Sequence, residues 1–146
     1  MCTMNDELRM SVSDYFDGEA GLRAEPVSPE EIANLEKWIG FSLPESYKWF
    51  VETFGGGIVG NLEICGLRRA PTMGNLSASA ERKTSFFRKQ SWPGTENWLV
   101  ISSDGYGNPI GIDKAGRVWI SEFDFGGIRL LATNFDNFLK GLLPKQ

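Results

Sequence analysis

Apolar positions recur at helical spacing in four stretches of the chain and shift toward strand-like alternation in its second half. Residues 5–17 predict a helix, with Leu8, Val12, Tyr15 and Phe16 at 0, +4, +7 and +8 and acids on the other face. Ser28-Pro29-Glu30-Glu31 reads as a helix start: the serine caps, the proline suits the first turn, and Glu31 can reach back. Ile32, Leu35 and Ile39 then form one face, and Gly40 ends it. Glu36 borders that apolar stripe, so it is expected to bond backbone amides of the 40–43 connection. A third helix is predicted from Pro44, through Tyr47, Phe50, Val51 and Phe54, to a stop at Gly55-Gly56-Gly57. The last starts with Thr133 and Asp136 in capping-box register and turns Phe135, Phe138, Leu139 and Leu142 inward.

Between the third and last helices, residues 58–59, 62–67, 98–102, 109–113, 117–123 and 128–131 read as strands. Turn residues separate them, above all Asp104-Gly105-Tyr106-Gly107-Asn108 and Lys114-Ala115-Gly116. In 68–94, Ala70-Pro71 opens a loop and 76–90 is expected to hold a helix carrying Phe86 and Phe87. The pattern predicts one α+β domain, a mostly antiparallel sheet with helices packed on one side.

The 146 residues can bury roughly two thirds of their unfolded surface, enough for a core without metals or staples. Histidine is absent, which removes His-based acid/base chemistry, Ser-His and Cys-His pairs, and His-ligated zinc. A net charge of −4 argues against nucleic-acid binding, and no apolar run is long enough to span a membrane. Cys2 and Cys65 show no CxxC spacing, and the first 27 residues carry six acids without an apolar core. Free thiols, no signal peptide and a cytoplasmic address are the expectation. Charge is uneven: −8 over residues 1–66, +5 over 67–92 and −1 over 93–146. The basic stretch either docks on the acidic helices or is solvated; alternatively, the acidic part steers a basic partner.

Motifs that would carry chemistry fail on inspection. Gly55-Gly56-Gly57-Ile58-Val59-Gly60-Asn61 runs from helix to strand, whereas phosphate loops run from strand to helix. The 104–108 turn lacks the glycine and glutamate of a calcium loop, with Pro109 and Ala115 standing there. Neither a metal nor a cofactor is expected. Asp104, Asp113, Glu122 and Asp124 can converge at one end of the sheet, the basis of a third, hydrolytic reading that needs them clustered in a deep pocket. Trp92, Trp98, Tyr106, Phe123 and Phe125 fall at strand ends or turns, where they either join the core or stand exposed as interface anchors.

Ile32-x-x-Leu35-Glu36-x-x-Ile39-Gly40-x-x-Leu43-Pro44-x-x-Tyr47-Lys48-x-Phe50 followed by three glycines resembles the entry motif of the SUKH (Smi/Knr-like) superfamily. Leu99-Val100-Ile101, the 104–108 turn, Ile112-Asp113, Gly116-Arg117-Val118-Trp119 and Phe135-x-x-Phe138-Leu139 follow in the expected order. The resemblance covers residues 28–143, leaving 1–27 as an N-terminal helix and connection. It implies a curved antiparallel sheet with flanking helices and a non-enzymatic role. Many bacterial members look like immunity proteins of toxin-based contact competition, each binding a cognate polymorphic toxin domain, often a nuclease. Eukaryotic members are thought to be regulatory adaptors, the alternative here. On the immunity reading, the 1–66 region or the end bearing Asp104, Asp113 and Asp124 would cover the toxin's basic cleft. Trp98, Tyr106 and Phe125 would be anchors.

Overall fold

The computed structural model describes residues 6–123 and 127–144. Helix α1, Asp6–Asp17, buries Leu8, Val12 and Phe16, the stripe its spacing predicts. Helix α2, Pro29–Ile39, opens on a complete capping box: the Ser28 hydroxyl accepts from Glu31 N–H at 3.2 Å, and the Glu31 carboxylate accepts from Ser28 N–H at 2.9 Å. Those bonds and Arg68 hold the Glu31 carboxyl below its ordinary pKa. The helix ends at Gly40 with φ +92, and the Glu36 carboxylate accepts from Leu43 N–H at 2.7 Å, the task expected of it. Helix α3, Glu45–Phe54, stops at Gly55. Helix α5, Phe135–Leu142, is capped by Asn134, whose side chain accepts from Asn137 N–H at 2.8 Å. Thr133 therefore lies one residue outside the cap, a correction to the predicted register. Asparagine is as strong a cap as threonine, and here its carbonyl is the one placed on the free amide.

Strands β1 (Gly57–Val59) and β2 (Leu62–Ile64) form a hairpin. Strands β3 (Leu99–Ser103), β4 (Pro109–Ile112), β5 (Val118–Glu122) and β6 (Gly127–Ala132) form an antiparallel meander in that order. The β3–β4 ladder slips between Val100 and Ser102, so Ile101 is the extra residue of a bulge. Its carbonyl accepts from Cys65 N–H at 2.6 Å, which ties hairpin to meander. Leu99, Ile101, Ile110, Ile112, Val118 and Ile120 face one core shared with α1, α2, α3 and α5. The chain is thus an α+β fold, with five α-helices and two antiparallel sheets among the described residues.

The 68–94 stretch contains helix α4, Ala80–Lys89, capped by Ser79. Thr84 donates its hydroxyl proton to Ala80 carbonyl at 2.7 Å and accepts from Val100 N–H at 2.8 Å. α4 therefore lies along β3 and satisfies a donor that would otherwise sit at an open sheet edge. Its Lys83 is buried, 3% exposed, and donates to Ser77 Oγ at 3.1 Å. At the far side of the meander, among the described residues, no hydrogen bond reaches the outer edge of β6.

Tyr47 lies fully buried against the edge of the Phe135 ring, its hydroxyl donating to Cys65 carbonyl at 2.6 Å. Burial, with a smaller contribution from Cys65, raises its pKa well above the tyrosine norm. Folding keeps the proton on Tyr47, so its contribution to stability is lost as pH rises past the unfolded value near 10. Tyr47→Phe leaves the Cys65 carbonyl unpaired inside the core. We expect a loss of about 1–2 kcal/mol in urea unfolding at neutral pH, with a reduced decline above about pH 10. Unchanged stability at both pH values would show that the hydroxyl contributes nothing.

Candidate functional site

Strand alternation places Val100, Gly111, Trp119 and Leu130 side by side on the outer face of the meander. Gly111 leaves room there for Trp98: a Cβ on this glycine would come within 2.7 Å of the tryptophan's own Cβ. Gly94 covers the same indole, and its Cβ would meet Trp98 Cζ2 at 2.6 Å and Ile128 Cδ1 at 3.0 Å. Trp98 is consequently buried, 3% exposed, and floors an open groove of about 510 Å³. Ile39, the last residue of the α2 stripe, and Phe41 just beyond it make one wall and Ile128 of β6 another.

The polar wall is built on Asp113. Its Oδ1 accepts from Ala115 N–H at 2.9 Å and Arg117 N–H at 3.0 Å. Its Oδ2 accepts from Arg117 Nε at 3.0 Å and Trp119 Nε1 at 2.8 Å. Burial alone would raise this carboxyl, but those donors and the Arg117 charge outweigh it and hold the pKa below the usual aspartate value. The Arg117 guanidinium stacks 5.4 Å from the Trp119 ring centroid, beside exposed Lys114. Across the groove, Arg88 is engaged by the carbonyls of Thr95, Glu96 and Trp98 at 2.9, 3.3 and 3.2 Å.

Of the six candidates from the sequence, the four that lie among the described residues do not assemble. Trp98 forms the floor and is buried, the core alternative of its two readings, because Gly111 of β4 and Gly94 in the preceding turn leave room for its side chain. Asp104 organises its own turn, accepting from the N–H groups of Tyr106 and Asn108, both at 2.9 Å, and from Asn108 Nδ2 at 3.0 Å. Tyr106 stands at that turn's tip, 91% exposed. Asp113 follows β4 whereas Asp104 and Asn108 precede it, so the two acids occupy opposite ends of the sheet. The convergence expected of them does not occur. Glu122 is paired with Arg129 at 2.8 Å, and Asp124 and Phe125 lie outside the described residues. Phe123 is exposed, and half-buried Trp92 lies 6.1 Å from it. Among the described residues, no three thiols or carboxylates gather as a cation would require.

Sequence reasoning missed Ile39, Phe41, Arg88, Arg117, Trp119 and Ile128 as groove residues. Two signals were present: Arg117 and Trp119 alternate onto one strand face, and a glycine inside β4 marks a close approach. A second surface is electrostatic. Asp6, Glu7, Asp14 and Asp17 share the outer side of α1, and Glu19, Glu25 and Glu30 are exposed beyond it. Among the described residues, Asp14, Asp17, Glu19, Glu25 and Glu30 take part in no ion pair. Among the described residues, the basic 68–94 stretch is bridged to the acidic helices by Arg68–Glu31 at 2.9 Å, while Arg82 and Lys89 are exposed.

The sequence model of a known family, SMI1 / KNR4 (SUKH-1), matches residues 26–141. The chain belongs to the SMI1 / KNR4 family. The matched span runs from before α2 into α5 and contains every residue of the groove. It leaves α1, with part of the acidic surface, outside the match. No curated protein matches this family member significantly. Among the described residues, no helix is long and apolar enough to cross a membrane.

Proposed function

We propose that this SUKH-type chain is an immunity-type binding protein that neutralises a cognate toxin domain by occupying it. The carrying observation is the set of exposed acids Asp14, Asp17, Glu19 and Glu25, which among the described residues form no ion pair, on a member of a family whose resemblance points to protein–protein binding. Such a surface draws in a basic partner and accelerates encounter, the potential of a nuclease cleft being its natural complement. Binding without turnover fits the carboxylates: Asp104 and Asp113 serve their own turns at opposite ends of the sheet.

The test is co-expression with the toxin domain encoded beside the chain, followed by association kinetics of the purified pair. Reversing Asp14, Asp17, Glu25 and Glu30 to lysine should slow association about ten-fold or more at low salt, the difference closing near 0.5 M salt. An association rate indifferent to the four reversals rules out steering by this surface. Failure of the two proteins to co-purify transfers support to the regulatory-adaptor role.

A further inference from the structure

The outer groove carries a small excess of positive charge on a chain that is acidic as a whole. Its rim carries Arg88, Lys114 and Arg117 against Glu96 and Asp113, within a chain of net charge −4. Asp113 is turned inward onto four donors, which reduces its reach into the groove. Arg88 is held by three carbonyls. Arg117 is different: Asp113 fixes Nε and Trp119 supports the guanidinium plane, while among the described residues its terminal amino groups bond nothing. Lys114 beside it is exposed and, among the described residues, has no ion pair. A pre-oriented guanidinium with both terminal groups free matches the two oxygens of a carboxylate. Apolar surface lies adjacent, at Ile39, Phe41 and Ile128.

We infer that this groove seats a short acidic segment of a protein partner. An Asp or Glu side chain is clamped by Arg117 and Lys114, and a neighbouring apolar side chain lies against Ile39, Phe41 and Ile128. A nucleic acid fits poorly, because a phosphate polymer would extend beyond this local patch onto a chain of opposite preference. The inference rests on the partner-binding reading and gives it a second contact of opposite charge to the α1 surface.

The probe is the labelled peptide acetyl-Leu-Glu-Phe-Glu-Leu-amide, whose ends carry no charge. It is compared by fluorescence anisotropy with counterparts bearing Gln or Lys in place of Glu. The Glu peptide should saturate the full chain below 1 mM and bind about ten-fold more tightly than the Gln form, the Lys form being weakest. Arg117→Gln should abolish that preference. Lys114→Gln, which touches no internal bond, should weaken binding about three-fold, with Lys140→Gln as an unaffected control. The Trp119 indole N–H resonance should shift on titration.

Equal binding of Glu and Gln peptides, absence of saturation, or wild-type binding by Lys114→Gln overturns the inference. Should Arg117→Gln fail to fold, the peptide series and Lys114→Gln still decide. A cognate toxin that binds wild type and Lys114→Gln equally overturns the groove assignment and leaves the immunity reading standing. Glu-selective peptide binding with no toxin partner supports the groove and counts against the immunity reading.

Discussion

Replacing Gly55 with alanine is expected to prevent accumulation of folded protein, whereas Gly18→Ala changes stability by no more than about 0.5 kcal/mol. Gly55 has φ +77, where an alanine is strained by about 1 kcal/mol, and its Cβ would overlap the Glu25 carbonyl. The backbone has nowhere to retreat. Gly55 carbonyl accepts from Leu67 N–H at 2.9 Å and Arg68 N–H at 3.0 Å, and Gly56 carbonyl accepts from Ala24 N–H at 3.0 Å. Three segments cross there, and Gly66 packs so closely that its own Cβ would strike Gly55 carbonyl. Strain plus disrupted crossings should total about 4 kcal/mol or more, against a whole-domain stability of roughly 5–15 kcal/mol. A Cβ added at Gly18 would meet nothing within 4 Å, so this position separates a local clash from a general intolerance. Soluble yield and the urea midpoint give the answer; a Gly55→Ala protein with wild-type midpoint would mean the crossing can relax.

The sequence showed that these glycines stop a helix but not that other segments need their backbone. The difference is one of range. The Ser28–Glu31 capping box, a left-handed Gly40 and the Glu36 bond to Leu43 join residues at most seven apart, so spacing announces them. The strands announce themselves through alternation and turn residues; β2 stops at Ile64, short of the predicted 62–67, where the chain leaves the ladder toward the glycine crossing. The groove joins Phe41 to Arg88, Arg117 and Ile128, which no local period connects. Lys83 shows the same limit: in sequence it belongs to a basic run, yet its helix turns it inward onto Ser77.

Asp113→Asn should destabilise the chain by about 3 kcal/mol. The asparagine oxygen can keep two of the four bonds, but its amide then meets Arg117 Nε or the Trp119 indole, donor against donor. The pH dependence gives an independent signature. The Asp113 carboxyl is held below its ordinary value despite burial, so between about pH 5 and 3 the unfolded chain binds more protons than the native one. Its stabilisation is complete above the unfolded value near 4 and lost as pH falls through the lower folded value. The asparagine variant should therefore lose less stability than wild type between pH 5 and 3 in parallel urea titrations. Equal acid sensitivity in both proteins would remove Asp113 from the account of acid unfolding.

The two margins of the meander are unequal. Thr84 and Cys65 seal β3, whereas β6 offers its outer backbone groups to solvent, with Ile128 and Leu130 exposed beside them. Enlargement of the sheet by any extended chain thus has a single direction, outward from residues 127–132. Arg129, the charged residue of that strand, is paired with Glu122 of β5 at 2.8 Å, so its cation is directed back across the sheet and leaves the rim open to a further strand.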